Sequence, residues 1–170
     1  MAERSQSDSA LVHLSERLTN SAAFSNLFRE GMDLVEETAA YLDGDGRTEA
    51  KALERSVSLT YATESMRLTT RLMQLASWLL LHRAVKEGEM TLTQANREKT
   101  KVKLSAADPG PEDMVTKLPA QLQELIARSM SLQARVRRLD TTIHAPPAER
   151  PPIGNPLVPQ LNRLKAAFEQ

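Results

Sequence analysis

The chain has no cysteine among its 170 residues, so it has no disulfide framework, no thiol nucleophile and no cysteine-based zinc site. Aromatic residues are scarce, at 4%. Leu, Ala and Met therefore supply most of the apolar surface, which favours helix over sheet. There is no excess of either charge: 22 basic and 22 acidic residues cancel. That balance disfavours a nucleic-acid binder, which needs a basic surface to neutralise phosphates. Long apolar runs are also missing. The longest covers Trp78 to Leu81, far short of the roughly 20 residues that span a bilayer. The polar N-terminus, MAERSQSDSALVHL, lacks the apolar core of a signal peptide. A cytoplasmic protein without membrane insertion is expected.

Helical periodicity fills the middle of the chain. Residues 1–20 read as a loosely ordered arm, although Leu11, Leu14 and Leu18 recur at helical spacing. A first helix is expected over about 21–42, where Phe24, Leu27, Phe28, Met32, Val35, Ala39 and Leu42 make one stripe. Asp43-Gly44-Asp45-Gly46 should end it through a left-handed glycine cap. A second helix is expected from about Thr48 to Glu87, uninterrupted by proline or glycine and stopped at Gly88. It carries two stripes. One is Leu53, Val57, Tyr61, Glu64, Leu68, Leu72, Leu75, Leu79 and His82. The other is Leu59, Ala62, Met66, Thr69, Met73, Ala76 and Leu80. A helix apolar on two sides must be covered on two sides. The second stripe is accordingly read as a helix-packing seam or a homodimer seam.

Thr91-Leu92-Thr93-Gln94 has the form of a capping box, opening a short helix or continuing the second one. Pro109, Gly110 and Pro111 mark a loop. A third helix is expected over about 119–143. There Leu118, Leu122, Leu125, Ser129, Leu132, Val136, Leu139 and Ile143 alternate steps of four and three. Prolines at 146, 147, 151, 152, 156 and 159 then change the character of the chain. Residues 145–170 read as a flexible Pro-rich tail. It ends in Leu157, Leu161, Leu164 and Phe168, an amphipathic segment suited to binding a partner helix-in-groove or folding back on the bundle. The fold class is all-α: an antiparallel three-helix bundle over residues 21–144 between the arm and the tail.

No phosphate-binding loop, dinucleotide fingerprint or nucleophile elbow is found. No catalytic residue, cofactor or metal site is assigned. His13, His82 and His144 lie far apart, and none has a second histidine four residues on, so a zinc site would need long-range assembly. His82-Arg83-Ala84-Val85-Lys86 faintly resembles a phosphotransfer histidine, but the lysine and glycine spacing is wrong and His82 falls on an inward stripe. Glu64 faces the expected core and reads as part of a buried polar network with Arg67 or Arg71. Arg97, Lys99, Lys101 and Lys103 read as a solvated face, since no aromatic residues interleave for stacking.

Two segments carry a family resemblance. Phe28-Arg29-Glu30-Gly31-Met32-Asp33-Leu34-Val35-Glu36-Glu37 with Tyr41-Leu42-Asp43 is one, and the run from Tyr61 to Leu80 is the other; Glu87-Gly88-Glu89-Met90 and Gln94-Ala95 continue it. They resemble the alphaproteobacterial regulator of CtrA degradation, the RcdA family, over most of residues 20–143. The resemblance implies a non-enzymatic, dimeric three-helix bundle that acts as a protease adaptor. Such an adaptor tethers cell-cycle regulators of the CtrA type, and further adaptors, to ClpXP primed by CpdR, and gathers with the protease at a cell pole. The competing reading is a structural or DNA-associated helical dimer with no protease contact.

Overall fold

Helix α1 spans Ala22–Asp43. Ser21 opens it by accepting the Phe24 N–H on its Oγ at 3.2 Å, which satisfies one of the donors a helix start leaves unpaired. These residues belong to a computed structural model that describes 21–99 and 111–144. The arm over 1–20 and the tail over 145–170, with Leu157, Leu161, Leu164 and Phe168, lie outside the described residues. Among the described residues five further helices follow: α2 Asp45–Ala52, α3 Arg55–Lys86, α4 Leu92–Lys99, α5 Glu112–Val115 and α6 Ala120–His144. No strand occurs among the described residues, and the fold is all-α.

The first and third expected helices match α1 and α6 to within a residue or so. The second does not. Instead of one helix from about Thr48, the chain forms α2, leaves helical geometry at Leu53 and Glu54 (ψ 148° and 152°), and restarts as α3 at Arg55. Packing at the end of α1 explains the break. A Cβ on Gly46 would lie 2.6 Å from Tyr61 Oη and 2.7 Å from the Tyr41 carbonyl oxygen. Only glycine lets α2 come this close. Tyr41 donates its hydroxyl to Glu49 Oε2 at 2.6 Å, and Leu53 packs against the core. A straight helix would carry these groups away from the bundle. Gly44 ends α1 with φ −106°, not the left-handed cap expected of it. The left-handed glycine is Gly88, with φ 76°, just past α3.

The capping box is present in full. Thr91 N donates to Gln94 Oε1 at 2.9 Å, and Gln94 N donates to Thr91 Oγ1 at 3.2 Å. It starts α4 as a separate helix.

The three long helices α1, α3 and α6 pack pairwise around one core. Phe24, Leu34, Leu68, Leu79, Leu122 and Leu132 are among its fully buried members. Gly31 lies where all three meet: a Cβ there would sit 2.5 Å from Leu79 Cδ1 and 3.6 Å from Leu132 Cδ2. Helix directions differ in part from the antiparallel expectation. Phe24 meets Trp78 and Lys86 meets Ser25, so α1 and α3 are antiparallel. Arg135 pairs with Glu30 and Arg128 with Glu37, so α1 and α6 are antiparallel. Arg71 meets Ser129, and Trp78 meets Asp140, so α3 and α6 run parallel. The long connection after Lys86 returns the chain to the end where α3 began, which a short loop could not do.

Candidate interaction site

Helix α3 divides sharply between its two stripes. Val57, Tyr61, Glu64, Leu68, Leu72, Leu75, Leu79 and His82 are buried in the bundle. On the other side Leu59, Met66, Met73 and Leu80 are 71, 72, 66 and 51% exposed. Ala62 and Thr69 are exposed with them, and Ala76 is half-buried. The seam therefore does not pack within its own bundle. From Leu59 to Leu80 it runs roughly 32 Å along the helix.

Two details make this face less polar than its sequence suggests. First, its hydroxyls turn back on the helix. Thr63, Thr69, Thr70 and Ser77 donate to the carbonyls of Leu59, Ser65, Met66 and Met73 at 2.8–3.0 Å. Such back-bonding consumes the hydroxyl proton locally and leaves the threonine methyls toward solvent. Second, none of the seven seam residues is charged. Beside them, α1 contributes Val35, Ala39 and Leu42 to a shallow apolar groove of about 180 Å³, shared with Leu72, Met73 and Ala76. A contiguous apolar surface of this kind is uncommon on a monomer and marks interaction sites.

Behind the seam lies a polar layer. Glu64, 4% exposed, accepts from Arg67 Nη1 at 2.7 Å. Arg71, equally buried, does not bond to Glu64. It donates through Nη1 to Ser129 Oγ at 2.8 Å, and the Ser129 hydroxyl in turn donates a hydrogen bond to the Ile126 carbonyl at 2.7 Å. Burial pulls the Arg71 pKa down, while the nearby Glu64 charge holds it up. This layer joins α3 to α6.

A second polar cluster, which sequence reasoning left unassembled, lies at the far end of the bundle. Trp78 Nε1 donates to Asp140 Oδ1 at 2.8 Å, and Lys99 Nζ donates to Asp140 Oδ2 at 2.6 Å. His144 Nε2 lies 3.3 Å from Asp140 Oδ1. Burial opposes ionisation of Asp140, but His144, Lys99 and Trp78 outweigh it and hold the carboxyl well below its ordinary range. His82 is 1% exposed, which removes it from phosphotransfer, a reaction that needs an accessible imidazole. Lys99, read as part of a solvated basic face, is instead the anchor of α4. Lys101 and Lys103 lie outside the described residues. The signal available in sequence was the four-residue spacing of Asp140 and His144, which puts both on one face of α6.

Fold and site together define an all-helical bundle with an apolar face exposed among the described residues. No described helix is long and apolar enough to cross a membrane. Residues 15–168 match a family model described as a protein of unknown function (DUF1465). The crystal structure of RcdA from Caulobacter crescentus CB15 is similar at 50% sequence identity and a TM-score of 0.62, over 75% of this chain and 96% of that one. The chain belongs to the RcdA family. No curated protein matches it.

Proposed function

We propose that this chain is a non-enzymatic protease adaptor: a cytoplasmic homodimer that tethers CtrA-type cell-cycle regulators, and further adaptors, to CpdR-primed ClpXP, recruited with the protease to a cell pole. The observation that carries the reading is the 50% identity to RcdA, which spans nearly all of that protein's chain. The exposed seam on α3 supports it, because an adaptor needs surfaces and not reacting groups. Holding a substrate beside an unfoldase converts a weak bimolecular capture into a nearly intramolecular one, and effective concentration does the rest. The seam's occupant in this reading is a second copy of the chain. A two-fold interface sets the same patch of both copies against itself, and a patch without charge meets itself without like-charge repulsion.

Reconstitution tests the proposal. Purified ClpXP, CpdR and a CtrA-type substrate are combined with and without this chain, and substrate loss is followed on gels. The chain should accelerate degradation only when CpdR is present. Unchanged degradation of every candidate substrate overturns the adaptor role.

A further inference from the structure

We propose that His82, Asp140 and His144 form a site for one divalent transition-metal ion of the zinc class. One nitrogen of each imidazole and one carboxylate oxygen lie within 4.8 Å of one another. The three residues come from two helices that pack side by side: His82 from the last turns of α3, Asp140 and His144 from the end of α6.

The protonation pattern suits a cation. His82 Nδ1 lies 2.9 Å from the Trp78 carbonyl oxygen. A carbonyl only accepts, so Nδ1 carries the proton, and the neutral ring presents a bare lone pair at Nε2. His82 Nε2 and His144 Nε2 are both buried and make no hydrogen bond among the described residues. His144 Nε2 lies 3.3 Å from Asp140 Oδ1, outside hydrogen-bond geometry. Two buried nitrogens without hydrogen bonds beside one carboxylate are costly to desolvate. A single cation would satisfy both.

The donor set selects the ion. Two imidazoles and a carboxylate suit zinc, which takes nitrogen at about 2.0–2.1 Å and carboxylate oxygen at about 2.0–2.2 Å. Ligands on a tetrahedral ion at those lengths stand roughly 3.4 Å apart. The present spread must therefore contract, and His144, in the final turn of α6, is the member placed to move. The surrounding shell has the form metal ligands usually require: the second nitrogen of His82 is held by a backbone carbonyl, and the carboxylate is oriented by Trp78. Lys99 is the opposing feature. Its ammonium already sits on Asp140 Oδ2 at 2.6 Å, and a divalent ion on the same carboxylate would repel it. Metal binding should therefore weaken the tie between α4 and α6.

The test uses the full chain without a histidine tag, stripped with chelator and titrated at pH 7.5 with Zn²⁺ by calorimetry and with Co²⁺ by visible absorption. One ion per chain and a cobalt ligand-field band are expected. His144→Gln and Asp140→Asn should each weaken binding by at least the roughly 10–100-fold that even an outer-shell change costs. Lys99→Met should strengthen it, which a fortuitous surface site would not show. His13→Gln should leave it unchanged. His82→Gln is read only if circular dichroism shows it folded; His144 lies at a helix end, so its variant serves without that condition. No ion bound by the wild type, or binding by His144→Gln as tight as wild type, overturns the proposal.

Discussion

Arg71 reaches from α3 to α6 and donates to Ser129 Oγ at 2.8 Å, in a position where both side chains are almost wholly buried. Ser129 interrupts an otherwise aliphatic seam of Leu122, Leu125, Leu132 and Val136. Its small side chain leaves room for the guanidinium, and its hydroxyl gives that group an acceptor. Ser129→Ala removes the acceptor and keeps the space. Arg71 Nη1 then lacks its acceptor, at a cost of about 1–3 kcal/mol. Thermal unfolding followed by circular dichroism should show a midpoint several degrees lower. An unchanged midpoint means that the Arg71–Ser129 bond contributes nothing.

Glu64 compensates the same buried charge from the other side. Its carboxylate accepts from Arg67 and lowers the cost of burying Arg71. Glu64→Leu leaves Arg71 without its nearest counter-charge and Arg67 without its acceptor, and should destabilise the fold by about 1–3 kcal/mol, the usual consequence of leaving a buried polar group unsatisfied. Glu64→Gln keeps the shape and one acceptor for Arg67, and should cost less. Denaturant titration of the three proteins gives the order. Equal stabilities would show Glu64 to be idle.

The exposed seam makes a different kind of prediction. Met66 and Met73 are about two-thirds exposed or more on the single chain, so charging them should spare the monomer fold. Met66→Glu with Met73→Glu is expected to change monomer stability by no more than about 0.5 kcal/mol each, as for ordinary surface positions. In a dimer it would bury four carboxylates without partners, which the interface cannot tolerate. Light scattering after size exclusion should report a folded monomer. A folded dimer of unchanged mass places the interface elsewhere.

These three cases mark what a sequence can disclose about this bundle. The stripes on α3 and the heptad of α6 were legible because burial follows the helical period, and periodicity is local. The break at Leu53–Glu54 was not, since no proline or glycine marks it and the cause is the packing of Gly46 on Tyr41 and Tyr61. Nor was the parallel course of α3 and α6, because the connection after Lys86 is long enough for either direction. Arg71 lies 58 residues from Ser129, and Trp78 lies 62 from Asp140. The pattern put Glu64, His82 and Ser129 on inward stripes, but not Arg71, Trp78 or Asp140, and it did not show which group each would meet. Glu64 and Arg71 share a helix and were therefore read together, whereas Arg71 bonds across the interface.

The family match extends to residue 168, so the proline-rich segment and its apolar positions lie within it. Leu157 follows five of the six prolines, and Leu161, Leu164 and Phe168 continue at helical spacing after the last, Pro159. A segment this short does not hold a helix alone in water, but an apolar groove on a partner would supply the missing burial. Deleting residues 146–170 should therefore leave the helices of residues 21–144 and the oligomeric mass as they are, because every described core residue precedes the deletion. Delivery of at least one partner to the protease should slow. The triple variant Leu161→Ala, Leu164→Ala and Phe168→Ala should reproduce that loss in the full-length chain, since it removes the apolar contacts and keeps the spacer. The two variants separate two roles: if truncation slows delivery and the triple variant does not, the prolines act as a spacer and the apolar positions bind nothing. Truncated protein that captures every partner and supports degradation at the full rate would rule out the segment as a docking peptide.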